Sequence, residues 1–147
     1  GGDERLLHAM ARAVVQFETP LSLFGQLRPG ERGLDIKRGG IFPIVHGLRC
    51  LALKHGISHR NSFARCEALV QAGALDAALG RDLDQTLAVL QRLRLDAQLA
   101  ALDAGCSPDN HLHPDALRRL DRELLRDALR VVKAFQQHLR GVFHLGD

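Results

Sequence analysis

Arg94 and Gln98 are polar residues on what is otherwise the apolar face of a long predicted helix. With about 100° of rotation per residue, a helix over residues 83–102 places Arg94 in the middle of its apolar stripe and Gln98 at the edge. The stripe consists of Leu83, Leu87, Leu90, Ala97 and Ala101. A guanidinium stays charged in a protein and is costly to bury alone. We therefore expect a carboxylate or carbonyl from elsewhere in the chain to face Arg94.

Two further charged residues fall on predicted apolar faces. Arg49 lies inside the apolar arc of a second predicted helix, and Asp121 lies within the stripe of the last one. A helical bundle would let them meet Arg94 and Gln98, with an ion pair between Asp121 and one of the two arginines. Two interpretations remain open. The residues form a buried network that fixes helix register, or they line a cleft for an anionic or polar ligand.

Other residue types with ligand-binding chemistry form weaker patterns. The eight histidines include His111-x-His113 and His55 with His59, but no cysteine or carboxylate completes a zinc ligand set. Residues 37–40, Lys-Arg-Gly-Gly, precede a helix and would either offer a phosphate two cations and backbone N–H groups or form a simple glycine turn. The Walker pattern, a nucleophile with its base and a catalytic carboxylate pair are all missing from the sequence. We expect neither a metal site nor a complete active site.

Hydrophobic periodicity predicts that an all-α antiparallel bundle of about five helices positions these side chains. The predicted helical segments are residues 3–26 with a break or restart at Pro20, then 42–55, 62–71, 75–103 and 114–142. A loop rich in Gly and Pro joins the first two segments, and no period-two strand pattern or repeat is expected. The apolar face predicted for the last helix consists of Leu117, Leu120, Leu124, Ala128, Val131, Phe135, Leu139 and Val142.

Composition excludes several classes of protein. The 147 residues are 46% hydrophobic and 25% charged, which is typical of a globular protein and predicts one domain over residues 1–147. The net charge of +3 is small, the arginines are interleaved with acids, and Trp and Tyr are absent, so no nucleic-acid partner is expected. No spanning segment or signal peptide is recognisable, which indicates no membrane partner and a cytoplasmic location.

The cysteines and the first residues of the chain add two expectations. Cys50, Cys66 and Cys106 are odd in number and far apart, so they are expected to be reduced. The sequence begins Gly-Gly without an initiator Met, so we expect the C-terminal fragment of a longer multidomain protein.

Several short motifs follow one another from Asp35 onward. They are Asp35-x-Lys37 with Gly40, Arg49 followed by Leu51-Ala52, Ser62-x-x-Arg65, Leu93-Arg94-Leu95 with Gln98, and Pro108-Asp109-Asn110 ahead of Pro114. Their order and spacing resemble the nucleotidyltransferase substrate-binding domain family. That family forms the C-terminal part of bacterial proteins related to the nitrogen-regulatory uridylyltransferases. The mild departures are Ser62, Cys66 and Asp121, where the family pattern favours Thr, Leu and Glu.

The resemblance implies a bundle similar to the C-terminal domain of kanamycin nucleotidyltransferase and an accessory function. This domain would position an acceptor, while a separate upstream catalytic domain holds a nucleoside triphosphate and Mg²⁺; no cofactor is expected in this chain. Further expected partners are cyclic-nucleotide-binding or CBS modules of the same chain, in signal transduction. The implied substrate-binding residues are Asp35, Lys37, Arg49, Arg65, Arg94, Gln98, Asp109, Asn110 and Asp121. The alternative is a non-catalytic structural or protein-interaction bundle, for example a homodimer.

Overall fold

The computed structural model describes residues 2–22 and 25–146 and is mostly helical. The helices are α1 (Gly2–Val15), α2 (Phe42–Lys54), α3 (Ser62–Gln71), α4 (Ala77–Asp103) and α5 (Arg119–Val142). The predicted mostly helical, five-helix fold is confirmed over these residues, and α2, α3 and α4 occupy the segments predicted for them. Polar side chains begin two of these helices, because the carboxamide of Asn61 and the carboxylate of Asp76 accept hydrogen bonds from the first free N–H groups of α3 and α4.

The centre of the fold is α2, which packs against α1, α3 and α5. Its buried residues include Ile44, Leu48 and Leu51, as its continuous apolar composition predicts. Gly47 lets α2 and α5 approach closely, because a Cβ added there would lie 2.5 Å from Cε2 of Phe135. The core therefore depends on a glycine at the α2–α5 crossing.

The first predicted helical segment is shorter than expected. The α1 helix ends at Val15 rather than continuing to residue 26, and an isolated bridge between Leu21 and Leu27 follows Pro20. Proline prevents helix continuation because its ring occupies the place of the N–H donor. Leu23 and Phe24, also in the predicted segment, lie outside the described residues.

The segment before α2 contains a small sheet that the sequence reasoning did not predict. Strand β1 (Leu34–Asp35) pairs antiparallel with β2 (His111–Leu112), with Asp35 opposite His111. A π-helical turn, Lys37–Ile41, then leads into α2. The expectation of no strand was wrong here, because two-residue strands are too short for hydrophobic alternation to mark them.

The predicted apolar face of α5 was partly wrong. A short 3₁₀ turn, Pro114–Ala116, and two extended residues come before α5, which begins at Arg119 rather than residue 114. Leu120 and Leu124 are 69% and 41% exposed, respectively. The buried residues of α5 are Leu125, Ala128, Leu129, Val132, Phe135, Gln136 and Leu139. This face is centred about one residue later than predicted, since the chain is not continuously helical before Arg119.

Candidate functional site

Several polar residues of the sequence motifs, namely Asp35, Arg94, Asp109 and Asn110, converge where α4 meets the small sheet. The Nε of Arg94 donates a hydrogen bond to Oδ1 of Asn110 at 2.8 Å. The backbone carbonyl of Asn110 accepts from the N–H of Ile36 at 3.0 Å. The next residue, His111, pairs with Asp35 in the sheet. Hydrogen bonds therefore join three segments that are far apart in sequence, and we call this the Arg94 junction.

Two carboxylates shape the backbone of the junction. Oδ1 of Asp109 accepts a hydrogen bond from the backbone N–H of His111 at 2.9 Å. The same oxygen lies 3.6 Å from Nδ1 of the His111 ring. Oδ1 of Asp35 accepts from the N–H of Arg38 at 3.0 Å. Short acidic side chains stabilise turns in this way by bonding to nearby backbone. Asp35 thus stabilises the turn after β1, and Asp109 stabilises the segment that contains Asn110.

Arg94 is half-buried and pairs with no carboxylate of the described residues. Its expected oxygen partner is present as the side-chain carbonyl of Asn110. A guanidinium carries five N–H donors in a planar fork. Among the described residues only Nε has a partner, and the Nη groups form no hydrogen bond or ion pair with any of them. The remaining donors are available to a ligand.

The predicted ion pair between Asp121 and Arg94 or Arg49 was wrong. Asp121 instead accepts from Nη2 of Arg92 at 3.0 Å and lies 3.6 Å from Nη2 of Arg118. Arg92 precedes Arg94 by two residues, which is about 200° around the helix, so Arg92 rather than Arg94 faces α5. The hydrogen bond from Arg92 holds the pKa of the Asp121 carboxyl below its ordinary value.

Gln98 and Lys37 lie on elements that lead into the junction. Gln98 is half-buried one turn after Arg94, on the same side of α4, and its amide bonds to no other described residue. Lys37 follows β1, and its Nζ lies 5.1 Å from the centroid of the Phe42 ring. Both side chains retain hydrogen-bonding capacity.

Arg49 and Arg65 belong to other parts of the molecule. Arg49 is exposed on α2, so its predicted place in the core was wrong. The apolar arc of α2 extends onto a solvent-facing flank, where Leu53 is also 52% exposed. Nε of Arg65 donates to the carbonyl of His59 at 2.6 Å and closes the turn before α3. Neither arginine forms a hydrogen bond with the junction.

A groove runs along the C-terminal half of α4 beside the junction, and we call it the α4 groove. Its volume is about 510 Å³. Its lining includes Leu93, Asp96, Ala97, Asp109, His111 and Asp121. Neither Arg94 nor Asn110 belongs to the lining, but residues next to them in sequence do: Leu93, Asp109 and His111. An apolar floor with carboxylates and a nearby guanidinium suits a polar ligand that carries both donors and acceptors.

The described residues offer no arrangement for a metal ion. Within 2–22 and 25–146, no group of three or more His, Cys, Asp and Glu side chains is close enough to bind one. No helix in the same ranges is sufficiently long and apolar to span a bilayer.

The glycines of the segment 37–40 are packing positions. Gly39 and Gly40 are buried. A Cβ at Gly39 would lie 2.8 Å from Cδ of Pro20, and one at Gly40 would lie 3.0 Å from Cδ1 of Leu90. This close packing favours the glycine-turn interpretation over a phosphate-binding loop.

Sequence reasoning missed a buried polar cluster around Gln136. Gln136 is only 7% exposed. Its Oε1 accepts from the hydroxyl of Thr19 at 2.9 Å, and its Nε2 donates to the carbonyls of Val14 and Phe17 at 3.2 and 2.9 Å. The spacing of Lys133, Gln136 and Arg140 along one side of α5 is the signal that could have revealed a polar surface there.

The fold and site define a mostly helical chain with a polar groove at the end of its longest helix. The chain belongs to the family described as "Putative nucleotidyltransferase substrate binding domain", whose sequence model matches residues 4–143. The family resemblance carried by the motifs is thereby confirmed. No curated protein and no solved structure matches the chain.

Proposed function

We propose that this chain positions an acceptor substrate for nucleotidyl transfer catalysed by a separate upstream domain. The family supports a substrate-binding role. The observation that carries the location is the half-buried Arg94, which Asn110 holds through Nε while its Nη groups have no partner among residues 2–22 and 25–146. Arg94 and Gln98 would bind a polar or anionic group of the acceptor, and the α4 groove would hold the rest.

The physical basis is orientation. Transfer of a nucleotidyl group depends chiefly on placing the attacking group in line with the α-phosphate and on stabilising charge. In our proposal the upstream domain holds the nucleoside triphosphate and Mg²⁺. This chain holds the acceptor through Arg94, and Asp109, whose side chain is 69% exposed, accepts a hydrogen bond from an acceptor hydroxyl or amine. The hydrogen bonds that connect Asn110 to the small sheet restrict movement of Arg94.

The remaining expectations from the family resemblance form part of the same proposal. They are a bundle like the C-terminal domain of kanamycin nucleotidyltransferase, a bacterial signalling protein in the cytoplasm, and cyclic-nucleotide-binding or CBS modules upstream. The other binding residues that the resemblance implies lie in different parts of the molecule; they are Asp35, Lys37, Arg49, Arg65 and Asp121. Asp35 and Lys37 adjoin the junction and Asp121 lines the groove, whereas Arg49 and Arg65 would act only at a separate surface.

The test is Arg94→Ala in the full-length protein that contains this chain. We expect nucleotidyl transfer to fall by about 100-fold, because the acceptor loses its anchor and its alignment. Arg81→Ala is the matched control, since Arg81 is exposed on the same helix and has no partner among the described residues. Normal transfer by a folded Arg94→Ala protein would refute the proposed site.

A second candidate function is protein–protein interaction, which the outer face of α4 favours. Leu95, Leu99 and Leu102 are 54%, 51% and 58% exposed and share one side of the helix. A stripe of leucines at this spacing suits packing against another helix. This function predicts that Arg94→Ala leaves transfer unchanged while Leu99→Glu abolishes association in sedimentation experiments.

A further inference from the structure

A second cleft, lined by the end of α1, residues 16–21 and 28–30, and α5, is rich in cations. Its volume is about 840 Å³. The charged residues of its lining are Arg28, Lys133, Arg140 and a single carboxylate, Glu18. We call it the basic cleft. None of its three cations forms an ion pair with a carboxylate of the described part of the chain, whereas Arg126 and Arg130 of α5 each have one.

The wall that α5 contributes is rigidly held. Arg140 donates from Nη2 to the carbonyl of Val15 at 3.1 Å and from Nη1 to the carbonyl of Gly146 at 2.9 Å. Gln136, one turn before it, is satisfied by Thr19 and by backbone carbonyls. The position of Arg140 is thus set by neutral oxygens, and no carboxylate of residues 2–22 and 25–146 pairs with it.

The other two cations retain free donors. Lys133 is half-buried, and Nζ makes one long hydrogen bond, 3.4 Å, to the carbonyl of Leu21. Arg28 is exposed, and its guanidinium makes no hydrogen bond to another residue of the described ranges. An ammonium has three N–H donors and a guanidinium has five. Within the described part of the chain, the cleft therefore has donors without acceptors and cations without an ion-pair partner.

We propose that the basic cleft binds a phosphate-bearing small molecule, at a site separate from the α4 groove. Lys133 and Arg28 bind the phosphate oxygens directly, since a guanidinium can bind two of them at once and an ammonium acts as a point charge. Arg140 supplies charge from the fixed wall. The volume exceeds what a single phosphate needs, and the carboxylate of Glu18 suits a hydroxyl group on the same ligand. The ligand class is a hydroxyl-bearing diphosphate or triphosphate.

Isothermal titration calorimetry of the 147-residue chain with pyrophosphate tests this assignment. We expect saturable binding of one pyrophosphate per chain. Lys133→Gln and Arg28→Gln should each weaken it about tenfold, the usual effect of losing one charge-assisted hydrogen bond. Arg81→Gln, which removes the same charge from an exposed position on α4, should leave binding unchanged. Arg94→Gln should also leave it unchanged, which separates this site from the proposed acceptor site.

Two further titrations distinguish the sources of the phosphate. A nucleoside triphosphate that binds more tightly than pyrophosphate, with the gain lost in Glu18→Gln, identifies a nucleotide. If a sugar diphosphate, but not the nucleoside triphosphate, binds more tightly than pyrophosphate, and Glu18→Gln removes the difference, the ligand is a phosphorylated sugar. The proposal fails if no probe gives saturable heat, or if Arg81→Gln weakens binding as much as Lys133→Gln does. Circular dichroism checks that each variant is folded. If Lys133→Gln is unfolded, the effect of Arg28→Gln on binding tests the proposal by itself, because Arg28 is exposed and its substitution should not disturb the fold.

Discussion

The cluster around Gln136 and the Arg94 junction are both polar, but they differ in how much of their hydrogen-bonding capacity the protein uses. Gln136 is almost fully buried, and its side chain bonds to Thr19, Val14 and Phe17. Arg94 is half-buried and uses only Nε. A buried and satisfied group fixes packing, whereas a partly accessible cation with free donors is suited to a ligand. The difference indicates a structural role for Gln136 and supports the proposed binding role of Arg94.

The largest effect on stability is expected for Gln136→Leu. The substitution keeps the volume but removes the side-chain partner of the Thr19 hydroxyl and of the Phe17 carbonyl, and one of the two donors to the Val14 carbonyl. We expect the free energy of unfolding to fall by about 2–4 kcal/mol, measured by urea denaturation. Ligand binding at the α4 groove should persist in the folded fraction. A loss below about 0.5 kcal/mol would contradict the structural role of Gln136.

A smaller effect is expected for Asn110→Ala. Arg94 loses the one hydrogen-bond partner it has among residues 2–22 and 25–146, but it remains accessible to water, so the free energy of unfolding should fall by only about 1 kcal/mol. A double-mutant cycle with Arg94→Ala should yield a coupling energy of about 1 kcal/mol. Asn61→Ala is the matched control. It removes the cap of α3, at a similar cost of about 1 kcal/mol, and should show no coupling to Arg94. Zero coupling for Asn110 would mean that the hydrogen bond does not hold Arg94.

The smallest effect concerns Arg92, the neighbour of Arg94 that does have carboxylate partners. The pKa of Asp121 is lowered in the folded chain, so this pair stabilises the fold above the ordinary pKa of 3.8 and the contribution is lost as the pH falls through the lowered value. Arg92→Gln should raise the pKa of Asp121 toward 3.8 in a carboxyl NMR titration. It should also flatten the acid limb of the stability curve, whereas Arg94→Gln should do neither. An equal shift from both variants would contradict the assigned pairing.

The sequence predicted elements better than partners. Long, strongly periodic segments located α2 and α4, and Arg94, which the sequence singles out, lies where α4 meets the small sheet. The partner of Arg94 was not predictable, because Asn110 reaches it through a two-residue strand pair that leaves no periodic pattern. Arg92 and Arg94 lie on different sides of the same helix, and which of them faces Asp121 depends on where α5 packs. Gln136 was missed because a glutamine on an amphipathic helix is usually solvent-exposed.

For the cysteines, too, the sequence predicts one property and the tertiary structure determines another. All three are free, as expected from their spacing. Burial next to Asp84 raises the pKa of Cys66 to about 12, so this thiol stays protonated at neutral pH. Cys106 is exposed in the lining of the α4 groove. Spacing predicted the reduced state, but only the fold distinguishes the inert thiol from the accessible one.

The most direct test of the central claim is to measure stability and nucleotidyl transfer on the same Arg94→Ala variant of the full-length protein. The account predicts that the free energy of unfolding falls by no more than about 1 kcal/mol while transfer falls about 100-fold. A loss of stability as large as that of Gln136→Leu, with normal transfer, would contradict it. Arg94 would then be a structural residue like Gln136.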